Sequence, residues 1–519
     1  MSEAKQYKYI GQRTIRPDGF DKVTGRANYG ADLSLPGMIW GKILRSPHAH
    51  ALITKLDTSK AEAHPDVLAI ARFEDFPTVN AAAFAEGRQD KGLVDLASNI
   101  LADKKVLYHG HALVAVAART EAAAAQALQL IEVEYEVLPP VMSIDQAISA
   151  DAAILHEDMF TQGLAETPSA ASNIASRMEL KKGDVDAGFA QADVIVEREF
   201  STPTVHQGYI EPHATTVRFD ENGTSTIWCP TQGHFDVRAS TARLLGMELG
   251  QIKVTASEIG GGFGGKTTVY LEPVALILSR KAGRPVKMVM TREEVFRASG
   301  PASASQSRIK IGAKKDGTLV AMQASLYYEA GAFKGSPMGP GCMTVFTPYD
   351  VENMWVEGFD VVVNKAKVAA YRAPGAPQAE FAAEMVMNEL AERLAMDPID
   401  FRLQNAAKEG TQTLYGPKLK AVGLVECLQA AKTSKQYQTA LAEGEGRGVA
   451  AGFWFNIGGQ SSVIINMNPD GTGTILEGSP DIGGSRASMQ MMAAEELGIP
   501  LDRLNPIVTD TEHVAYNKT

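Results

Sequence analysis

Five glycines surround one phenylalanine at residues 260–266, and a lysine ends the run. A stretch with so few side chains cannot add to a hydrophobic core, but its backbone N–H groups can converge on an anion or an oxo group because no Cβ atom blocks the approach. The run follows a predicted strand, Ile252–Ala256, and precedes a predicted helix at residues 270–281. Since polar ligands collect at strand ends, the sequence predicts a ligand-binding loop here.

The same loop satisfies the spacing of a phosphate-binding P-loop, because Gly260 is followed after four residues by Gly265, Lys266 and Thr267. A nucleotide-hydrolysing enzyme of that class also needs a carboxylate at the end of an apolar strand, and the sequence offers no convincing candidate. Phe263 is also unusual inside a phosphate cradle. ATP hydrolysis is therefore kept as an alternative that a nucleotide hydrolysis assay would detect.

Length and charge narrow the class of protein. A chain of 519 residues is too long for a single hydrophobic core and predicts several domains. The formal net charge of −11 argues against a nucleic acid partner, since a phosphate backbone calls for a basic surface. No apolar run is long enough for a transmembrane segment, and the first residues lack a signal-peptide core. We therefore expect a cytoplasmic protein that acts on a small molecule.

The three cysteines, Cys229, Cys342 and Cys427, lie far apart and show no paired spacing. A disulfide framework or an iron–sulfur cluster within this chain is therefore not expected. Each cysteine is predicted to be a small buried apolar residue.

Patterns of strands and helices divide the chain into four parts. Residues 8–145 have the pattern of a compact α/β unit, and residues 146–178 have the composition of a polar linker. Long alternating strands then occupy residues 179–442, and a glycine-rich charged turn separates them from residues 443–519.

Two local patterns give more detailed predictions. Residues 381–405 have the period of an amphipathic helix with a break at Pro398. The apolar stripe predicted to face the core consists of Met385, Met387, Leu390 and Leu394. Residues 449–455 and 462–467 are predicted to form a pair of strands, and residues 468–471 carry a turn signal between strands.

The glycine loop resembles the hallmark of the molybdenum hydroxylases, the xanthine oxidase and aldehyde oxidoreductase family. Further motifs follow in the order typical of that family: DKVTGRANY at 21–29, LSLPGMIWG at 33–41, RSPHAH at 45–50, HQGYIEP at 206–212 and YRAPGAPQ at 371–378. The resemblance extends over residues 8–519, and the ordered set of motifs is much more specific than any one of them.

This resemblance implies an α+β fold with a small N-terminal α/β hammerhead-like domain at residues 8–145. It also implies a large mixed α/β molybdopterin-binding region, with a first domain at 179–442 and the start of a second at 443–519. Because the pattern of strands and helices is unfinished at the last residues, we expect this second domain to be truncated or continued in another chain.

The family's reaction is hydroxylation of an electrophilic carbon by water, with electrons leaving through iron–sulfur clusters. The resemblance therefore implies a molybdopterin cofactor with molybdenum, in the cytosine dinucleotide form of bacterial members, and no side chain bound directly to the metal. It places the 2Fe-2S clusters and FAD on partner subunits. It also implies a second molybdopterin-binding chain that supplies the family's glutamate base, and a dimer of such heteromers.

The resemblance assigns two side chains to catalysis, Gln232 as an amide donor to an oxo ligand and Arg372 as a cation suited to a carbonyl or carboxylate. The residues expected to bind the cofactor are Gly261, Gly262, Phe263, Gly264, Gly265, Arg372, Ala373, Gly483, Gly484, Ser485 and Arg486. Relatives carry a glutamine at the position of Gly484, and Ser485 and Arg486 are expected to replace it as donors to the cofactor phosphates.

Three positions of the expected substrate pocket depart from the purine hydroxylases. Thr267, Ala302 and Pro374 stand where those enzymes carry a glutamate, an arginine and a phenylalanine, so a purine would leave its polar edge unpaired. Carbon monoxide is disfavoured because Ala373, rather than a cysteine, follows Arg372. An N-heteroaromatic such as a pyridine carboxylate is therefore expected, with an aldehyde as one alternative and a non-catalytic scaffold or fragment as another.

Overall fold

The computed structural model describes residues 6–80, 90–166 and 168–518, which form two compact units. Unit 1 consists of the described residues within Met1–Leu138, Gln207–Gly300 and Ile457–Thr519, and unit 2 of those within Pro139–His206 and Pro301–Asn456. Both units contain helices and sheets, so the predicted α+β class is confirmed. None of the helices in the described ranges combines the length and the apolar composition that a membrane span requires.

Unit 1 draws its elements from all three of its chain segments. Its strands, numbered in chain order over the whole molecule, are β1 (Ile39–Arg45), β2 (Ala51–Asp57), β3 (Val67–Ala71), β4 (Lys105–Val106), β5 (Ala112–Ala118), β6 (Glu132–Val137), β9 (Ala214–Phe219), β10 (Ser225–Cys229), β11 (Ile252–Ala256), β12 (Val286–Val289), β16 (Val463–Met467), β17 (Gly473–Glu477) and β18 (Leu504–Val508). Its helices are α1 (Gly19–Thr24), α2 (Ser59–Glu62), α3 (Lys91–Ile100), α4 (Glu121–Gln129), α7 (His234–Leu245), α8 (Glu272–Ala282), α9 (Arg292–Ala298) and α15 (Ser485–Leu497).

A seven-stranded mixed sheet in the order β11-β10-β9-β12-β1-β5-β3 forms the centre of unit 1. β10 and β11 are parallel, whereas β9 is antiparallel to both β10 and β12. β5 is buried along its whole length because its sequence, ALVAVAA, presents only apolar side chains to both faces of the sheet. α8 packs on β9 and β3 with Leu276 and Ile277 fully buried, so the sheet and this helix form the main core of the unit.

Two three-stranded sheets complete unit 1, in the orders β4-β2-β6 and β16-β17-β18. The turn predicted at residues 468–471 joins β16 to β17, which confirms that prediction. α15 packs on β18 and buries Ala494 against Ile475 and Leu504.

Unit 2 is built on one five-stranded sheet in the order β7-β15-β14-β13-β8. Its strands are β7 (Ile174–Lys182), β8 (Val194–Thr202), β13 (Ser305–Ala313), β14 (Leu319–Gly331) and β15 (Asn353–Val362). Its helices are α5 (Ile144–Ile148), α6 (Val185–Phe189), α10 (Met338–Thr344), α11 (Ala376–Arg393), α12 (Pro398–Asn405), α13 (Leu424–Thr433) and α14 (Lys435–Gln438). α11 packs on β13 and β8, so one face of the sheet and this helix enclose the core.

The helix predicted at residues 381–405 is divided into α11 and α12, and the break before Pro398 is confirmed. Met387 and Leu390 are fully buried, whereas Met385 is 47% exposed, so its placement in the core was wrong. Residues two apart on an α-helix lie about 200° apart around its axis, so Met385 cannot share the buried face of Met387.

The strand predicted at residues 449–455 is absent, and β16 pairs with β17 instead. The segment finds other hydrogen-bond partners, because the N–H groups of Ala451 and Phe453 donate to the carboxylates of Glu384 and Glu380 on α11. Side-chain acceptors therefore replace the neighbouring strand that the pattern predicted.

Two other predictions were wrong in part. Cys229 and Cys342 are buried as predicted, and burial raises the pKa of both thiols. Cys427 is exposed instead. It lies on α13, where Leu428 is the one buried residue. β7 begins within residues 146–178, which were predicted to be a linker. The strand joins the edge of the sheet through its pairing with β15.

Candidate functional site

The parallel pairing of β10 and β11 brings the two main sequence motifs of unit 1 together. Gln232 lies just beyond the end of β10, and the glycine loop at residues 260–266 lies just beyond the end of β11. Since the carboxyl ends of parallel strands meet at the same edge of a sheet, the two segments are neighbours. β9 starts at this edge because it is antiparallel to β10, and the segment that leads into β9 brings Tyr209 and Glu211 there.

The Gln232 side chain is held by the glycine loop. It is only 8% exposed, and its Oε1 accepts hydrogen bonds from the backbone N of Gly264 at 2.8 Å and of Lys266 at 3.2 Å. Because both neighbours are N–H donors, the amide oxygen must face them, and the NH2 group is turned away from the loop. No described residue accepts a hydrogen bond from that NH2 group, so Gln232 can donate to a bound ligand.

The loop is close-packed against this amide and carries backbone strain. A Cβ atom on Gly262 would lie 2.4 Å from Gln232 Oε1, so a side chain there would displace this amide from the loop. Phe263 has a φ of 53°, in the left-handed region that is uncommon for a bulky residue, and its side chain is 47% exposed. Strained residues of this kind are concentrated at binding sites, where the surrounding structure enforces them.

Lys266 is a structural residue in this fold. Its side chain is 1% exposed, and its Nζ lies 2.7 Å from Glu211 Oε2, which also accepts from Gly260 N at 2.7 Å. Glu211 Oε1 accepts from Gly30 N at 3.0 Å, so both carboxylate oxygens are used. Burial lowers the pKa of Lys266, and the charge of Glu211 opposes that change.

This arrangement argues against the P-loop alternative. In a P-loop the lysine reaches the nucleotide phosphates and the helix begins at the end of the loop. Here Lys266 is committed to Glu211, and α8 begins only at Glu272. The hydroxyl of Thr267 donates to Gly264 O at 2.8 Å and so also stabilises the loop.

The turn before α15 is a second candidate segment of unit 1. Gly484, with a φ of 100°, is the N-cap of α15, and Asp481 Oδ1 accepts from Gly484 N at 3.0 Å and from Ser485 Oγ at 3.2 Å. Arg486 forms ion pairs with Glu258 at 2.5 Å and with Asp481 at 3.6 Å. Ser485 and Arg486, the expected phosphate donors, therefore hydrogen-bond to carboxylates in this structure.

More basic side chains surround the same carboxylates. Arg16 lies 2.6 Å from Asp18 and 3.3 Å from Asp481, and Lys22 joins Asp18 to Glu258. Burial alone would raise the pKa of Asp18, but hydrogen bonds from Arg16 and Lys22 lower it well below its usual range. The turn is thus embedded in an ion-pair network.

The predicted site residues of unit 2 lie in and near the loop that precedes α11. Arg372 is exposed and forms no ion pair with any described residue, and Ala373 has a φ of 61°. Gly375 O accepts from Tyr328 Oη at 2.6 Å, which fixes the end of the loop at the start of the helix. Pro374 is half-buried, and Ala302 is buried beside Val205.

Sequence reasoning missed Glu211, Tyr209 and Glu477. Glu211 lies within the quoted HQGYIEP motif. A single carboxylate just before an apolar strand could have predicted an ion-pair partner for Lys266. Tyr209 packs beneath the loop, because a Cβ atom on Gly265 would lie 2.7 Å from its ring. Glu477 is fully buried, and neither of its oxygens has a hydrogen-bond partner among the described residues, which its place in an alternating strand did not indicate.

The residues present are suited to an oxo-bearing cofactor. The NH2 group of Gln232 has no acceptor among the described residues and faces away from the glycine loop. That loop is strained at Phe263, whose ring is exposed. Such a group offers a fixed donor to a ligand oxygen without needing a metal–side-chain bond. No group of His, Cys, Asp and Glu side chains among the described residues is arranged to hold a metal ion directly.

Comparison with family models agrees with this fold. The molybdopterin cofactor-binding domain matches residues 167–406 and, through a second model of the same description, residues 424–519. The a/b hammerhead domain of aldehyde oxidase and xanthine dehydrogenase matches residues 24–139. The fold and the site therefore define a molybdopterin-binding protein.

Individual relatives make the assignment more specific. The chain is 34% identical to a nicotinate dehydrogenase large molybdopterin subunit of Eubacterium barkeri, over 82% of this chain and 96% of that protein. It is 30% identical to a xanthine dehydrogenase molybdenum-binding subunit of Escherichia coli, over 97% of this chain and 68% of that protein. The chain belongs to the xanthine oxidase family of molybdenum hydroxylases, which are molybdenum-dependent oxidoreductases.

Solved structures support the same fold. The crystal structure of a Cu,Mo-CO dehydrogenase matches with a TM-score of 0.83 and 27% identity, over 99% of this chain and 69% of that one. The aldehyde oxidoreductase from Desulfovibrio gigas matches with a TM-score of 0.80 and 25% identity, over 97% of this chain and 56% of that one. The chain thus spans between about half and two thirds of the length of several relatives.

Proposed function

We propose that this chain is the molybdopterin-binding subunit of a hydroxylase that adds a water-derived oxygen to an N-heteroaromatic compound of the pyridine carboxylate type. The observation that carries the proposal is the Gln232 amide, whose oxygen is fixed by the loop and whose NH2 group is left to donate. The similarity to a nicotinate dehydrogenase subunit supports this substrate class. Thr267, Ala302 and Pro374 support it as well, because they lack the groups that would anchor a purine.

When bound, the cofactor would supply the two-electron chemistry, and the residues of this chain would hold and orient the reactants. Gln232 would donate a hydrogen bond to a cofactor oxygen, and residues 261–265 would form the wall of the cofactor site in unit 1. Arg372 has no competing carboxylate among the described residues, so its guanidinium can bind a substrate carboxylate through two parallel hydrogen bonds. The turn before α15 is proposed to contact the pterin through Gly483, Gly484, Ser485 and Arg486. Ser485 and Arg486 would then have to donate both to the cofactor and to the carboxylates of Asp481 and Glu258.

The remaining parts of the enzyme belong to the proposal too. A second molybdopterin-binding chain supplies the glutamate base, and separate subunits carry the 2Fe-2S clusters and FAD. The Eubacterium relative is itself a large molybdopterin subunit by name, which is consistent with such a division. The cofactor is proposed to be the cytosine dinucleotide form.

The proposal is tested on the complex purified from its source cells. We expect molybdenum in the metal analysis, a cytosine nucleotide on hydrolysis of the cofactor, and reduction of an electron-acceptor dye with pyridine carboxylates. Turnover of aldehydes alone would replace the proposed substrate class with the aldehyde alternative. A complex that contains no molybdenum would favour the scaffold alternative.

A further inference from the structure

The extended segment at residues 449–455 is attached to α11 by two glutamates. Ala451 N donates to Glu384 Oε2 at 2.6 Å, and Phe453 N donates to Glu380 Oε1 at 2.7 Å. The spacing matches, because four residues of an α-helix rise about 6 Å and two residues of an extended chain span about 6.6 Å. The segment therefore runs antiparallel to α11, with helix carboxylates in place of a partner strand.

The two carboxylates have different surroundings. Glu384 is balanced by Arg402, whose Nη2 lies 2.7 Å from Glu384 Oε2, and it accepts a hydrogen bond from Tyr349 Oη. Glu380 forms no ion pair with any described residue, although it is largely enclosed. The groups that face it are the Phe453 amide, Glu384 on the same helix and Tyr328 on β14.

This environment favours the neutral form of Glu380. Burial raises the pKa of Glu380 to about 8, the Phe453 amide opposes the rise, and the negative charge of Glu384 adds to it. A neutral carboxyl group still accepts from Phe453 N, whereas a carboxylate would lie beside Glu384 without a cation. A carboxylate accepts a stronger hydrogen bond from Phe453 N than a neutral carboxyl group does. Enclosing that charge without a cation costs more than the stronger hydrogen bond contributes, so loss of the proton weakens the attachment of the segment.

The attached segment carries a cluster of aromatic side chains. The rings of Phe453 and Phe455 lie 5.3 Å apart between centroids, and Tyr415 lies 5.5 Å from Phe455. Trp454 lies 5.4 Å from Phe455 and is 41% exposed. α11 itself begins directly after the loop that contains Arg372, so the glutamates tie the aromatic segment to the helix that follows this loop.

We propose that Glu380 is a positioning residue whose protonated side chain fixes the aromatic segment against α11, and that loss of this proton releases the segment. The proposal goes beyond the proposed function, because it concerns contacts within unit 2 and needs neither cofactor nor substrate. It adds a proton-dependent attachment point to the helix that directly follows the loop of Arg372.

Trp454 reports on the segment directly. The full chain is labelled with 5-fluorotryptophan, and the Trp454 resonance is assigned by its loss in the Trp454→Phe variant. We expect the wild-type fluorine resonance of Trp454 to shift with pH, with a midpoint near the Glu380 pKa of about 8. A resonance that stays constant between about pH 6 and 10 would overturn the proposal.

Variants at position 380 separate attachment from general stability. Glu380→Gln keeps an acceptor for Phe453 N and has no proton to lose, so its Trp454 resonance should remain at the low-pH position throughout. Glu380→Ala should give the high-pH position at every pH. Glu392→Gln, at an exposed glutamate on the same helix, should titrate like the wild type. A Glu380→Gln variant that titrates like the wild type would contradict the proposal, and circular dichroism shows that each variant is folded.

Discussion

The Gln232 amide combines two tasks in one side chain. Its oxygen accepts from Gly264 and Lys266 and so fixes the loop, and its NH2 group is left to donate to a ligand. Gln232→Glu keeps an acceptor for the loop but removes the donor. We expect cofactor retention and a fall in kcat of about 100-fold, the usual cost of losing one donor to a reacting group. Molybdenum content and kcat measured on the same preparation test this, and an unchanged kcat would remove Gln232 from the catalytic role.

Lys266 illustrates a different role at the same scale, that of a buried ion-pair partner. Lys266→Met leaves Glu211 buried without its cation, which should lower the free energy of unfolding by about 3–5 kcal/mol. The double variant Glu211→Gln, Lys266→Met should recover much of that loss because no uncompensated charge remains. Urea unfolding of the wild type, both single variants and the double variant measures the coupling. Equal stability of Lys266→Met and the wild type would contradict the structural role.

At the scale of elements, the sequence predicted the glycine loop between the strand at Ile252–Ala256 and a following helix, whereas the strand before Gln232 and its parallel pairing with β11 were seen only in the structure. The break at Pro398 and the turn at residues 468–471 were also accessible, since they depend on local chemistry, whereas the α+β class came from the family resemblance. The segment at 449–455 was not, because its alternating pattern is the same whether its partner is a strand or two glutamates of a helix. The roles of Gln232 and Arg372 themselves stay predictions.

Glu477 at the end of β17 predicts a pH-dependent stability for this part of unit 1. Burial, reinforced by the charge of Asp481, raises its pKa to about 7 from an ordinary value of 4.5. As pH rises through this window, the unfolded chain loses the proton first, so the folded state loses stability. The loss should be on the order of 3 kcal/mol and complete above about pH 7.

Glu477→Gln should remove this part of the pH dependence, because the amide has no charge to bury. Urea unfolding at about pH 5 and pH 8 measures the difference for wild type and variant. Glu496→Gln, at an exposed glutamate on α15, is the matched control and should behave like the wild type. If the free energy of unfolding of Glu477→Gln changed between these two pH values as much as that of the wild type, Glu477 would be ionised in the folded state.

At the scale of the whole molecule, the order of the chain hides the organisation of the fold. The seven-stranded sheet of unit 1 takes β1, β3 and β5 from the region before Leu138 and β9 to β12 from the region after Gln207. Periodicity identifies these strands one by one but contains no information about pairing between distant segments. The family resemblance supplied what local patterns could not, and the matches to the hammerhead and molybdopterin cofactor-binding domains agree with it.

The proposed division of the enzyme among several chains leads to a prediction for the intact assembly. The base has not been located among the described residues, and the proposal places it on a second molybdopterin-binding chain. Native mass spectrometry of the protein from its source cells should therefore show this 55.6 kDa chain in a complex with that second chain, with iron–sulfur and flavin subunits, and with a bound pterin dinucleotide. Dissociation of the second chain should abolish substrate turnover. A chain found alone and without the pterin would contradict the assignment of catalysis to Gln232 and Arg372.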